Sequence, residues 1–197
     1  MVPPAPKPIF RIQVREIIDF VLRSGDLVGE REFVGSDRLL AGTRGHQRVQ
    51  RSRPAGYAKE VAVKHDIDAR EFILRIGGRI DGLSTDANGV TVEEIKTVRK
   101  SWNGEANLLH WAQAKFYGFI YAGEKGLEKI TLQLTYLDLE TAHLTEFRTE
   151  ITLVELTAFF EEVTGQYLEW FAEQFHWRQQ PGMFFVESLE AIPVVQR

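Results

Sequence analysis

Asn88-Gly89 constrains this chain more than any other pair of residues. It stands between two runs rich in Ile, Val and Thr, and such a pair is the strongest short-range signal of a two-residue β-hairpin. Taken as the loop of a type I′ turn, it sets Asp81 opposite Lys96 and Leu83 opposite Glu94. Opposed residues share a sheet face and side chains alternate along each strand. Asp81, Glu94 and Lys96 are therefore expected to project from one face. A bulge near Gly77-Gly78 or Gly82 would shift part of that register.

On either side of the hairpin the periodicity changes. Residues 1–9 hold four prolines and are expected to form a flexible tail, with a single domain over residues 10–197. Val14, Ile17, Ile18, Val21 and Leu22 have helical spacing, and Gly25 stops that helix. A second helix opens at Ser36 or Asp37 and runs towards Arg51, broken by Pro54-Ala55-Gly56. Strands are expected at roughly Lys59–Asp66, Glu71–Leu83 and Val90–Val98, then a loop over Lys100–Glu105. An amphipathic helix follows from Ala106 to Ala122, ended by Gly123 and Gly126. Two further strands, Lys129–Asp138 and Thr145–Ile151, lead to a long helix. That helix opens at the capping box Thr152-x-x-Glu155, runs towards Trp177 and closes at Pro181-Gly182. The order predicts an α/β fold, a small mixed central sheet flanked by helices.

The composition removes several classes of function. With no cysteine in 197 residues, disulfides, zinc thiolates and iron–sulfur clusters are excluded. No apolar run approaches the roughly 18 residues of a membrane span, so no membrane partner is expected and a cytoplasmic setting fits. The net charge of −4 is unevenly spread. Residues 1–100 carry 18 Lys+Arg against 14 Asp+Glu, and residues 101–197 carry 6 against 14. The first half can supply a basic surface for nucleic acid, or merely an uneven solvated one. There is no phosphate-binding glycine loop with its lysine, no His-Glu-x-x-His and no nucleophile elbow.

What remains is a set of residues that each admit two readings. Asp81 and Glu94 suit a hard cation such as Mg²⁺ or Mn²⁺, to which the main-chain carbonyl of Ile95 adds a donor. They also read as two strand-surface carboxylates. Lys96, two residues beyond Glu94, can hold and help deprotonate a water, or form an ion pair worth ~0–1 kcal/mol. Gln113 and Tyr117 share a helix face at i and i+4, fit to hold a phosphate or base or to orient the lysine, or to sit as a partly buried polar pair. Lys115 points elsewhere. Arg99, Lys100 and Trp102 suit phosphate contacts and base stacking, or form a charged loop. His46, on a helix with Arg44 and Arg48, is by itself more often structural than a ligand; His110, His143 and His176 have no partner pattern and read as structural, and His65, beside Asp66 at a strand end, has no assigned role.

In order, Gly42-x-x-x-His46, Gly78-Arg79-Ile80-Asp81, Glu94-Ile95-Lys96 and Gln113-x-x-x-Tyr117 resemble the motifs of the PD-(D/E)xK nucleases, in particular the RecB-like exonuclease branch. The resemblance implies a restriction-endonuclease-like core. It implies that His46, Asp81, Glu94 and the Ile95 carbonyl bind Mg²⁺ or Mn²⁺, and that Lys96 positions the attacking water. Gln113 and Tyr117 would line the DNA path, with Arg44, Arg99, Lys100 and Trp102 as further DNA contacts. Ile80 stands where the name-giving proline would be. The four cysteines that some RecB-like nucleases use for an iron–sulfur cluster are absent. Val21 to Leu27, followed by the His46 motif, is similar to nuclease modules joined to DinG/XPD-like helicases, which implies a helicase domain in the same parent chain.

The expected activity is metal-dependent hydrolysis of DNA phosphodiesters, exonucleolytic and directed to single strands or ends. The rival is a catalytically silent nuclease fold that binds DNA or docks onto a helicase. An RNase is a third reading.

Overall fold

The computed structural model describes residues 6–23, 36–99 and 101–179. Ten elements follow in order: β1 (Ile9–Gln13), α1 (Val14–Val21), α2 (Ser36–Ser52), β2 (Ala58–Asp68), β3 (Ile73–Asp86) and β4 (Gly89–Val98), then α3 (Leu108–Lys125), β5 (Lys129–Asp138), β6 (Leu144–Thr152) and α4 (Leu153–Gln179). The strands form one six-stranded sheet, and it is mixed and flanked by helices as the order of helical and strand-like runs predicts. Helices α1, α3 and α4 pack together on one face, while α2 lies against β4 from the other. Lys100, the stop signals at Gly25 and Pro181-Gly182, and the Ser24–Leu27 part of the helicase-like stretch lie outside the described residues.

Local chemistry accounts for most boundaries. Asn107 caps α3 by accepting from the Leu109 N–H at 2.8 Å, a bond worth about 1 kcal/mol. Gly126 closes that helix in the left-handed conformation at φ 65°. Thr152 and Glu155 form the reciprocal capping box at the start of α4. The main core lies between the sheet and α1, α3 and α4, with Phe116, Ile120, Leu132, Leu134 and Phe160 buried in it. A smaller one, Val49 with Ile95 and Leu137, fastens α2 to the other face. Among the described residues no helix is long and apolar enough to cross a membrane.

One strand is absent from the expectation. The end of the proline-rich stretch is recruited to the sheet: the Pro8 carbonyl accepts from Ile73, and Ile9–Gln13 pairs in parallel with Ile73–Gly77. Five residues alternating between exposed and half-buried carry too little apolar signal to announce a strand.

The hairpin turn also differs in detail. Asp86 pairs with Gly89, so Ala87 and Asn88 form the loop. Among the described residues, positive φ occurs outside glycine only at Glu60 and Ala142, which rules out the type I′ turn. The Asp86 carboxylate accepts from the Asn88 N–H at 2.7 Å, and Gly89 takes the positive φ of 121°. The register moves by two residues, pairing Gly82 with Glu93. Continued one step past its last pair, this register would set Asp81 opposite Glu94 rather than Lys96. A slip of two preserves the faces.

Candidate active site

Strand β3 is long enough to be shared, and its sharing opens the site. Along one edge β2 pairs with it from Ile73 to Leu83. Along the other, β1 pairs with Ile73–Gly77 and β4 with Gly82–Asp86. Gly78, Arg79, Ile80 and Asp81 are left unpaired on that second edge. The motif Gly-Arg-Ile-Asp thus occupies a gap in the sheet.

The strand also changes face there. Leu74, Ile76 and Ile80 are buried in the core beneath α3, in step with period-two alternation. Leu83, three residues beyond Ile80, is again in that core, whereas Gly82 faces the opposite side and carries Tyr57. A Cβ at Gly82 would lie 1.4 Å from the Tyr57 hydroxyl oxygen, so only glycine fits. Simple alternation therefore does not bring Asp81 to its partners. Asp81 sits at the switch, and its Oδ2 accepts from the main-chain N–H of Ile95 at 2.7 Å. A side chain here replaces a strand-to-strand ladder bond. Across the sheet, Glu60 has φ 53° and the β2–β3 pairing skips Glu60–Asp81.

Residues from both faces converge on this point. From α2, His46 Nδ1 stands 3.4 Å from Asp81 Oδ1, and Gln50 donates to the Asp81 carbonyl at 2.9 Å. Gly45 lets α2 come this close, because a Cβ there would meet the Thr97 methyl at 2.4 Å. The far end of α2 is tied to Glu93. That carboxylate is 2 % exposed and accepts from Arg53, Tyr57, Thr135 and Gln133. Arg53 also pairs with Glu146 at 2.7 Å.

From the α3 side, Lys96 Nζ lies 2.6 Å from Glu94 Oε1 and donates to Gln113 Oε1 at 3.2 Å. Tyr117 stands over Gly78, whose missing side chain leaves room for the phenol ring. Lys115 lies over the Phe159 ring, away from the site as its helical position predicts. An open cavity of about 540 Å³ beside these residues is lined by Gln13, Arg15, Arg79, Gln113 and Tyr117.

The electrostatics follow from burial. Desolvation pushes the Glu94 carboxyl up to about 7, against the pull of the Lys96 ammonium, with Asp81 adding repulsion. Burial also works against a charged His46, but its bond to Asp81 and the charge of that carboxylate outweigh it, so the imidazole is raised above its usual value. Burial, then the nearby Glu94 charge, push Tyr117 up to about 12 against bonds from the Gln113 side chain and the Arg79 main chain.

Two carboxylates, an imidazole and a main-chain carbonyl are the oxygen-rich donor set of a hard divalent cation. Among the described residues no three His, Asp or Glu side chains are already gathered round a point where an ion would sit. Asp81 is paired with His46 and the Ile95 N–H instead, and Glu94 Oε1 with Lys96. Glu94 Oε2 is buried without a hydrogen-bond partner, an arrangement that costs roughly 1–3 kcal/mol unless something binds it. The chemistry of the donor set fits such a cation, and the orphaned oxygen has an unused lone pair to offer one.

Not every expected contact is at the site. Arg44 is exposed and, two residues from His46, lies on the far side of α2, where Arg48 and Arg51 continue the stripe. Arg99 is exposed at the end of β4. Trp102 stacks on Tyr136 with ring centroids 4.5 Å apart, and its indole N–H donates to the Glu105 carbonyl. The reading of the sequence missed Gln50, Glu60 and the Glu93 cluster. Gln50, four residues past His46 and so on the same helix face, was the available signal.

Comparison with known proteins bears on the fold and the family. The fold is similar to the crystal structure of SSO0001, with a TM-score of 0.51 at 18% identity over 88% of this chain and 79% of that one. An alkaline exonuclease (LHK-Exo) from Laribacter hongkongensis aligns with a TM-score of 0.41 at 16% identity, over 84% and 94% of the two chains. No curated protein matches the sequence. Residues 14–182, which include all four ordered motifs, match the PD-(D/E)XK nuclease superfamily, and the chain belongs to that superfamily.

Proposed function

We propose that the protein is a Mg²⁺- or Mn²⁺-dependent DNA nuclease that hydrolyses phosphodiesters, acting on single strands or ends. The observation that carries the proposal is the buried, unpartnered Glu94 Oε2 beside a lysine held by Gln113. Asp81, Glu94, His46 and the carbonyl of Ile95 are the residues that would hold the cation. When bound, the cation polarises the scissile phosphate and lowers the pKa of water.

The chain's own groups do the remaining work. Lys96, fixed between Glu94 and Gln113, holds the attacking water by its oxygen and favours the hydroxide form through its charge. Gln113 keeps the ammonium from folding wholly onto Glu94, and Tyr117 supports the Gln113 amide. Arg15 and Arg79 flank the cavity and offer their guanidinium groups to the phosphates of a strand entering it.

The test is digestion of end-labelled single- and double-stranded DNA, with RNA in parallel, in Mn²⁺ and in EDTA, wild type beside Lys96→Ala. Cleavage of DNA by the wild type alone, abolished by EDTA, is the expected result. Salt-dependent DNA binding with no turnover in any metal would replace the proposal with a silent nucleic-acid-binding module, and preference for RNA would change the substrate class.

A further inference from the structure

We propose that Gln50 and Glu60 form a positioning device for Asp81, acting through its main chain, an inference that rests on the metal-site reading above. Three observations meet at one step of the sheet. Glu60 has a left-handed backbone at φ 53°, a conformation costly for a residue with a side chain. The β2–β3 ladder pairs Lys59 with Gly82 and Val61 with Ile80 but skips Glu60 and Asp81 between them. Gln50, 5 % exposed, fills the break: its amide nitrogen donates to the Asp81 carbonyl at 2.9 Å and to Glu60 Oε1 at 3.0 Å.

A buried carboxamide that spends both N–H bonds on such a pair is a clamp. A regular ladder at this step would keep β3 in its alternation and carry the Asp81 carboxylate onto one sheet face. The left-handed step at Glu60 releases it, and β3 turns over between Ile80 and Gly82. The Asp81 carboxylate then reaches Ile95 N–H on one side and His46 on the other. The Gln50 clamp supplies the hydrogen bond that the broken ladder withholds and fixes where along the strand the turnover occurs. Gln50 and His46 are one helical turn apart on α2, so one helix sets both the imidazole and the backbone of the aspartate. Gln50 and Glu60 touch no substrate in this account; they hold the geometry of a group that does. The cost is strain at Glu60, stored where the site needs an irregular strand.

The test separates positioning from stability by measuring cation binding and unfolding on the same proteins. Mn²⁺ titrations by calorimetry and thermal melts would be run on wild type, Gln50→Leu, Glu60→Gly and Glu60→Gln. Glycine accepts φ 53° without strain but cannot hold the Gln50 amide, so Glu60→Gly is expected to melt no lower than wild type and to bind Mn²⁺ about tenfold more weakly. Gln50→Leu is expected to weaken Mn²⁺ by a similar factor, and Glu60→Gln, which keeps an acceptor oxygen, to restore wild-type binding. Wild-type Mn²⁺ affinity in Glu60→Gly overturns the inference, whether or not Gln50→Leu folds. Failure of the wild type itself to bind Mn²⁺ overturns the metal reading and this inference with it, whereas tight wild-type binding matched by both variants sinks this inference alone.

Discussion

Asp81 Oδ2 and the Ile95 N–H are 2.7 Å apart, a side-chain hydrogen bond standing in the line of a β-ladder. It marks the point where β3 and β4 part, because regular pairing ends at Gly82 and Glu93. Beyond it, Glu94 and Lys96 turn to α3 while Glu93 and Ile95 turn to α2. The proposed chemistry is built on this parting of strands.

Lys96 and Gln113 form the most direct test of that chemistry. Lys96→Ala is expected to lower kcat by about 10²-fold or more, since general acid–base groups contribute that much. Gln113→Ala leaves the ammonium in place but unsupported, and should lower kcat by about tenfold with little change in KM. Steady-state kinetics on a short single-stranded substrate would show it. A rise in KM alone would make Gln113 a binding residue only.

Adjacent glutamates should answer substitution differently. Glu93 is bonded by four side chains, including the Arg53 guanidinium. Glu93→Ala leaves Gln133, Thr135 and Tyr57 without their shared acceptor and Arg53 with only the Glu146 carboxylate, and should cost about 1–3 kcal/mol in denaturant melts. Glu94 is held against its own desolvation, so Glu94→Gln should abolish cleavage while changing stability by less than about 1 kcal/mol. Equal losses of stability in the two variants would contradict this account of Glu94.

His110 gives a pH dependence of known sign. Burial, then the charges of Lys96 and Arg15, hold its imidazole down at about 4, from the ordinary 6.5. The unfolded chain takes up that proton near pH 6.5 and the folded one only near pH 4. Stability from this group is complete above pH 6.5 and is lost as pH falls towards 4, by roughly 3 kcal/mol. His110→Gln should lose less stability than wild type between pH 7 and pH 4. Parallel losses in urea titrations of the two proteins would show that His110 does not contribute.

Gly78 and Tyr117 should be energetically coupled. A Cβ at Gly78 would lie 2.6 Å from the Tyr117 hydroxyl oxygen and 2.8 Å from a ring carbon. Gly78→Ala is expected to cost about 1–3 kcal/mol through overpacking. Removing the hydroxyl in Gly78→Ala/Tyr117→Phe should recover part of it, a coupling readable in a double-mutant cycle. Strict additivity of the two substitutions would show that the ring does not stand over Gly78.

Local interactions made much of this protein legible in one dimension. Helical periodicity located α1, α2 and α3, Thr152 and Glu155 announced α4 as a capping box, and β5 ran over the residues expected of it. The hairpin was foreseen at its correct place with the wrong turn, because an Asx bond from Asp86 competed with the left-handed preference of Asn-Gly. Glu94 and Lys96 are two residues apart on one strand, so their pairing did not depend on the hairpin register and survived the error. β1 escaped notice because a parallel edge strand depends on a partner more than sixty residues away.

By itself, the sequence determined the order of every element after β1 and the kinds of donor available: two carboxylates, an imidazole, a lysine, an amide and a phenol in their spaced motifs. Only the tertiary structure decided that they meet. Three separate strands share the edges of β3, Glu60 breaks the ladder opposite Asp81, and α2 brings His46 and Gln50 to the break. Alternation along a strand is a local rule set by the pleat. A change of face in mid-strand is set by what packs on it from both sides, and those contacts join residues that are far apart in the chain.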